Sequence, residues 1–390
     1  MRILHVIPQF PYFGERVIVG GHASCLLTLS LAQQHAGHSV DILSYSQGRS
    51  GSYLIDDVNI HCLFDKAVTR TIRFGAKFYH AAMRWIGKRK DFDVVHCHSG
   101  YADYFLVSSK LKKMTGLPTL HTMYCPIPLK GGRWRTPFVH GMIARWSNQL
   151  DWVGAISQNA VASMESYGMK DAHWMPPAVD LERFNFATKP MDEFRAELGI
   201  KPNECAILFV GNAKRQKNLI GVLHAFSELQ TEFPHVRLVV TTELKHTSSN
   251  KDMNDLRACM EQLGISDSIT QMGIVDDMPK LMQACDILVA PFVDTFGPSD
   301  YFMAALEAMA CGKPVVVSDV GGMPEVVTEK VGRLVNPNDS KSIASGLRPF
   351  VADKPFSSRT GANARARMEE LFAPSRIVHE YDSIYSRLTT

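Results

Sequence analysis

The chain has 390 residues, 45% of them hydrophobic and 21% charged, and a formal net charge of +3. This length exceeds what one hydrophobic core usually serves, so two domains are expected, and the balanced composition excludes a disordered or low-complexity protein. No run approaches about 18 uninterrupted apolar residues, which excludes a helix able to span a bilayer.

The charge is unevenly shared. Residues 1–185 carry 20 Lys and Arg against 13 Asp and Glu, and the remainder carries 22 against 26. The opening MRILHVIPQF lacks the basic-then-apolar layout of a secretory leader and runs directly into a strand-like segment. The eight cysteines, at 25, 62, 97, 125, 205, 259, 285 and 311, include no CxxC pair, a pattern expected of reduced thiols in a cytosol.

In chain order, RILHVIP is followed by the helix-period segment GHASCLLTLSLAQQHAG and by HSVDILSY, then DVVHCHS, PTLHTMY and DWVGAIS. Continuous apolar strands alternating with helices predict buried parallel sheet built from βαβ units. The rhythm breaks at WMPPAVDLERFNFATKP, where consecutive prolines predict a hinge near 175–190. It restarts with CAILFVGN, VRLVVTT, SITQMG, DILVAPF and PVVVSD. The expectation is α/β, with two Rossmann-like domains over 1–185 and 186–368 and the ligand between them. The amphipathic run SRIVHEYDSIYSRL within 369–390 is expected to pack across the seam.

The first strand-to-helix loop, PQFPYFGERVIVGGHAS, ends in Gly20 and Gly21, which let backbone N–H groups approach a phosphate or simply form a turn. The absence of GxGxxG here argues against a dinucleotide dehydrogenase. Between Lys66 and Lys90 stand eight Lys or Arg and no acid. At about 100° per residue, Arg70, Arg73, Lys77, Arg84 and Lys88 form one stripe, flanked by Phe74, Phe78 and Trp85, with Val68, Ile72, Tyr79, Met83 and Ile86 opposite. Such a stripe suits a helix on anionic lipid, a wall of an acceptor site or a solvated face. Nucleic acid is not expected, since no recognised binding motif accompanies the charge.

His96, His98 and His121 fall at or near strand ends, but the Asp, Glu or Cys ligands of a metal site are absent nearby, so no metal is expected. His121 is either a substrate-facing donor or a satisfied structural histidine. In FVGNAKRQKNLIGVLHAF, Lys214, Arg215 and Lys217 crowd a helix start, where cations are unfavourable unless an anion joins them. In GPSDYFMAALEAMACGKPVVVSDVGG, a turn of Gly297, Pro298, Ser299 and Asp300 precedes a helix with one acid, Glu307. N–H groups at Tyr301, Phe302 and Met303 would lie free at that helix start, and the carboxylate could accept two hydroxyls of a ribose diol or be a salt-bridged core acid.

These segments together resemble the retaining glycosyltransferases of family four, glycosyl transferases group 1, along nearly the whole chain; the most specific block is LEAMACGKPVVVSDVGGMPEVV. The resemblance implies a GT-B fold and a hexosyltransferase that needs neither cofactor nor metal. It implies a UDP-, GDP- or ADP-sugar donor on the second domain and a hydroxyl acceptor, free or lipid-linked, on the first. Glu307 then matches the second glutamate of the family's E-x7-E motif and holds the ribose, and Lys217 matches the lysine on the donor diphosphate. Gly20 and Gly21 match the loop closing over it, His121 the histidine facing the reacting sugar, and Tyr301 to Met303 the amides that hold phosphate and sugar. Two positions depart from the pattern: Asn212 replaces an arginine, with Arg215 three residues on, and Ser299, beside Asp300, replaces the first glutamate. The competing readings are a nucleotide-sugar epimerase on a related fold and a degenerate nucleotide-sugar-binding subunit. The expected location is the cytoplasm, or peripherally the inner face of the membrane.

Overall fold

A computed structural model describes residues 1–8, 10, 21–44, 50–64, 72–87, 89, 91–127, 137–188, 190–242, 250–295 and 299–390. The chain divides into two compact units. The first comprises Met1–Ala178, Phe296–Tyr301 and Phe372–Thr390, and the second Val179–Thr295 and Phe302–Leu371. The first division thus falls inside the proline-rich segment, ahead of residue 185. That residues 296–301 group with the first unit had no signal in the sequence.

The first unit runs β1 (Arg2–Ile7), α1 (Gly21–His35), β2 (Ser39–Ser44), β3 (Gly51–Ile55), β4 (Val58–Cys62), α2 (Ile72–Ile86), β5 (Val94–Ser99), α3 (Tyr104–Thr115), β6 (Thr119–Met123), α4 (Pro137–Ser147), β7 (Trp152–Ala155), α5 (Gln158–Ser166) and β8 (Ala172–Trp174). Its sheet has the order β3-β4-β2-β1-β5-β6-β7-β8. All pairs are parallel except β3 with β4, whose two-residue turn holds Asp56 and Asp57 at φ 45° and 70°. Aspartate tolerates that left-handed region, as such a hairpin requires. The predicted β1, β2, β5, β6 and β7 are all present, and every residue of β5 and β6 is buried, as expected of strands covered on both faces.

The second unit runs α6 (Asp192–Glu197), β9 (Cys205–Val210), α7 (Leu219–Glu232), β10 (Val236–Thr241), α8 (Asn250–Leu263), β11 (Ile269–Met272), α9 (Met278–Ala284), β12 (Ile287–Ala290), α10 (Met303–Ala310), β13 (Val315–Ser318), α11 (Met323–Val326), β14 (Gly332–Val335), α12 (Ser340–Ala352) and α13 (Lys354–Phe372). The sheet order is β11-β10-β9-β12-β13-β14, all parallel. This is the doubly wound order, in which the direction of travel across the sheet reverses between β9 and β12. Phe209, Leu223, Phe226, Leu238, Ile343 and Phe350 lie in one apolar core.

The last helix, α14 (Pro374–Thr389), belongs to the first unit. Its Ile377, Val378, Tyr381 and Tyr385 are buried with Ile3, Leu29, Val94, Leu120 and Trp152. That spacing of three to four residues is the buried stripe of an amphipathic helix.

Candidate functional site

In the second unit, the carboxyl ends of β9 and β12 flank the point where strand order reverses, the usual ligand position of such sheets. β9 leads into a short 3₁₀ turn, Arg215–Lys217, and then α7. Asn212 shapes this connection, its Oδ1 accepting from the Lys214 N–H at 3.2 Å. Asn218 finishes it in the left-handed region at φ 59°, with Nδ2 donating to the carbonyls of Pro291 (3.2 Å) and Pro337 (2.6 Å). Lys214 and Arg215 are the outer cations of the turn, whereas Lys217 is drawn inward, its Nζ 3.6 Å from the centroid of the Phe292 ring. Burial lowers the Lys217 ammonium to about 8, and the nearby Asp294 carboxylate acts in the opposite direction. Asp294 is held in turn by Gln216 Nε2, which donates to Oδ1 at 2.6 Å. An anion at this turn would restore the charge that burial disfavours.

Glu307 sits in α10, half-buried, and its carboxylate has no hydrogen bond or ion pair among the described residues. Burial pushes its carboxyl up to about 7; Arg183 lowers it and Asp180 raises it. The core-salt-bridge alternative therefore lacks its bridge. Arg183 and Asp180 lie more than a hundred residues upstream, and nothing in their local sequence singles them out. Ahead of α10, the Phe302 N–H lies 3.2 Å from Met323 Sδ, and Phe302 and Met303 are buried. The Phe302 N–H thus has a weak acceptor.

In the first unit, Asp300 is fully buried and its carboxylate is engaged. It accepts from Ser157 Oγ in a short hydrogen bond and from Asn159 Nδ2 at 3.0 and 3.2 Å. Its own N–H donates to the Tyr124 carbonyl at 2.8 Å, which fastens the turn within the first unit. Ser157 is also the N-cap of α5, accepting from the Ala160 N–H at 3.0 Å, so the carboxylate lies at the positive end of a helix. Both carboxylate oxygens of Asp300, expected as a donor-binding residue, are thus turned to Ser157 and Asn159, the contacts of a structural anchor. Ser299 is 5% exposed, and its Oγ is buried without a hydrogen-bond partner among the described residues. Tyr301 is buried with its ring edge-on to Phe372, at 5.7 Å between centroids.

His121 lies in the same unit. It is fully buried in β6, with Nε2 2.9 Å from Ser99 Oγ, Nδ1 2.7 Å from Ser108 Oγ and the Phe105 ring 4.3 Å away. Burial lowers the imidazole to about 3. Both ring nitrogens thus have hydroxyl partners in the core, the contacts of the structural-histidine alternative.

His96 and His98 are joined by His5 of β1, and one ring nitrogen from each lies within 4.8 Å of the others. Each of the three is already held by protein. His5 Nδ1 meets His98 Nε2 at 2.9 Å and His5 Nε2 meets Gln33 Oε1 at 2.7 Å. His96 meets Tyr385 OH and Thr122 Oγ1, both at 2.8 Å, and His98 Nδ1 lies 3.3 Å from Tyr124 OH. Gln33 Nε2 donates to Tyr385 OH at 3.3 Å, and Thr122 Oγ1 lies 3.1 Å from Tyr381 OH. Burial lowers His5 to about 4 and His96 and His98 well below the usual histidine range. The set is a neutral hydrogen-bonded chain whose nitrogens leave no lone pair for a metal without breaking it.

Of the basic stripe, Lys77 and Arg84 lie on α2, Lys77 exposed. Phe78 is fully buried and Trp85 packs against Phe92 and His61, with the Arg89 guanidinium 3.9 Å from its ring centroid. Both aromatics belong to the core side of the helix, with Ala82 and Ile86, so they do not flank the stripe as expected. Gly21 opens α1. Gly20, Arg70, Lys88, Gly297, Pro298 and the side chains of Arg73 and Phe74 lie outside the described residues.

Residues 190–367 match the family model "Glycosyl transferases group 1", and residues 19–183 match "Glycosyltransferase Family 4". An uncharacterized glycosyltransferase of Methanocaldococcus jannaschii is 27% identical over 384 residues, covering 94% of each chain. The solved sucrose-phosphate synthase from Thermosynechococcus elongatus superposes with a TM-score of 0.82 at 20% identity, covering 100% of this chain and 99% of that one. Anabaena HepE, solved in complex with UDP-glucose, gives a TM-score of 0.76 at 17% identity and covers both chains in full. The two family matches follow one another along the chain and each falls on a Rossmann-like sheet, so this chain belongs to glycosyltransferase family four and has the GT-B fold.

Proposed function

We propose that the protein is a retaining hexosyltransferase that takes a sugar from a nucleotide diphosphate donor and passes it to a hydroxyl acceptor. The observation that carries this reading is Glu307, a half-buried carboxylate in the second unit without a hydrogen-bond or ion-pair partner among the described residues. Two neighbouring ribose hydroxyls would donate to its two oxygens and offset the cost of burying the charge. Lys217, at the carboxyl end of β9, supplies the cation for the diphosphate, and Arg215 beside it stands in for the arginine that Asn212 replaces. The HepE complex with UDP-glucose supports a donor of this class.

Bond cleavage between the sugar and the diphosphate builds negative charge on the departing oxygen. A fixed cation there stabilises it without a metal. The leaving phosphate oxygen itself accepts the acceptor's proton on the face where the sugar departs, so that no protein nucleophile is required.

A thermal-shift screen of UDP-, GDP- and ADP-sugars tests the donor. One of them is expected to raise the melting temperature as ln(1 + [L]/Kd) requires, and Glu307→Ala to abolish that rise. A rise that survives the substitution would sink the assignment. Retention is read from the anomeric configuration of the product sugar.

For α2, the cations Lys77 and Arg84, with Lys110 of α3 lying 4.7 Å from the Tyr79 ring centroid, support contact with an anionic surface. Flotation with phosphatidylserine vesicles is expected to carry the protein, and Lys77→Glu with Arg84→Glu to prevent it. Equal behaviour on neutral vesicles would remove the idea.

A further inference from the structure

Arg365 of α13 is fastened in a way that the donor site described above does not explain. Its Nη1 donates toward three main-chain carbonyls, those of Leu181 at 3.2 Å and of Phe184 and Ala310 at 2.8 Å. Its Nε donates to Glu369 Oε1 at 2.6 Å. Ala310 ends α10, about one turn beyond Glu307, where helix carbonyls lack partners of their own. Leu181 and Phe184 bracket Arg183, whose N–H donates to Asp180 Oδ1 at 2.9 Å. The backbone of α13 can come this close because Gly361 has no side chain: a Cβ there would lie 2.0 Å from the Gly312 carbonyl oxygen.

One guanidinium therefore joins the helix that carries Glu307 to the segment that carries Asp180 and Arg183. We propose that Arg365 is a positioning residue for the nucleotide site, clamping segment 180–184 to the end of α10 so that the Arg183 and Asp180 charges stay fixed beside the Glu307 carboxylate. The ligand half of this inference rests on the reading of Glu307 as the ribose acceptor; the charge half does not.

The groups that act on Glu307 are Arg183, which favours its ionised form, and Asp180, which opposes it by less. From the end of α10 itself, burial pushes the Cys311 thiol up to about 12, so it stays neutral; Lys313 and Arg365 act on it in the opposite direction and Glu307 in the same one. Releasing the segment removes the Arg183 and Asp180 contributions together. Because the arginine's is the larger, the ionisation midpoint of Glu307 rises.

The test is a stability cycle that needs no ligand. The melting temperatures of the full chain and of Glu307→Gln are compared between about pH 5 and 9, each with Arg365, Arg365→Ala, Arg365→Lys or Arg183→Ala in the background. The difference between Glu and Gln is expected to change as pH rises from about 5 and to level off at the folded-state ionisation midpoint, about 7 in the parent. That midpoint should move upward in Arg365→Ala and further upward in Arg183→Ala, which leaves the Asp180 charge in place. Arg365→Lys, which keeps one charge but fewer donors, should fall between and serves if Arg365→Ala does not fold. Midpoints unchanged by the Arg365 and Arg183 variants, with stability lowered equally at every pH, would overturn the proposal. Titration of the parent with UDP, GDP and ADP keeps the two readings apart: no binding of any of them defeats the donor reading while the cycle still decides the role of Arg365.

Discussion

Replacing Glu307 by Gln should make the ligand-free protein more stable at neutral pH and a poorer binder of its donor. The Glu307 carboxyl is raised from 4.5 to about 7, so the folded state prefers it protonated. Stability associated with this group is fully present below 4.5, declines as pH rises and is lost by the time pH has passed about 7. The shift corresponds to at most about 3.5 kcal/mol at about 1.4 kcal/mol per unit. For a domain of this size that is an upper bound of roughly 10 °C in Tm. Glutamine has no such titration, so its melting curve should not show the decline.

Ribose binding should act in the opposite direction, since hydroxyls that donate to the acid favour its ionised form. Donor affinity should therefore rise by up to about tenfold per pH unit below about 7 and level off above, with proton release on binding at about pH 6 that disappears by about pH 8. Calorimetry in two buffers of different ionisation enthalpy measures that release. Subtracting the Glu307→Gln result cancels titration of the nucleotide's own phosphates. Equal proton release by the parent and the variant would refute the argument.

Lys217→Met should raise Tm at neutral pH, because burial has lowered the ammonium from 10.5 to about 8, so that it destabilises the fold fully below about 8 and progressively less between about 8 and 10.5, and it should weaken donor binding by about tenfold or more. Melting and titration of the same sample check both halves. Asp300→Asn should cost about 2 kcal/mol in urea denaturation, since an amide turns a donor toward Ser157 and Asn159, which already donate. Stability equal to the parent would show that the carboxylate is not the anchor described. His121→Ala should cost about 2 to 4 kcal/mol through its lost volume and the two serines left unpaired; an active variant of parental stability would contradict the structural role.

The strand-helix alternation was legible because parallel strands covered on both faces must be apolar along their whole length, as the buried runs ILVA of β12 and VVVS of β13 show. Glu307 was legible because an acid inside an apolar helix requires a partner. The direction in which residues face was harder to read. Phe78 falls near Lys77 in the chain, yet it packs with Ala82 and Ile86, because the apolar arc of α2 is centred away from the arc first inferred. His121 and Asp300 carry the residue types of a site, but their partners Ser108 and Ser157 become neighbours only through folding. The clamp of Arg365 was hidden for the same reason: its acceptors are main-chain carbonyls, which leave no mark in a sequence.

The buried chain through Gln33 has a polarity. With the Gln33 amide donating to Tyr385, the tyrosine proton is free for His96 Nδ1, which leaves His96 to donate from Nε2 to Thr122. On the other side, Gln33 Oε1 requires a proton on His5 Nε2, so His5 Nδ1 accepts from His98 Nε2, and His98 Nδ1 accepts from Tyr124. All three imidazoles are thereby fixed in the same tautomer by one amide. Turning that amide over would reverse every donor and acceptor from Thr122 to Tyr124 at once, so the interior of the first sheet holds a single two-valued variable where a count of residues gives three independent histidines.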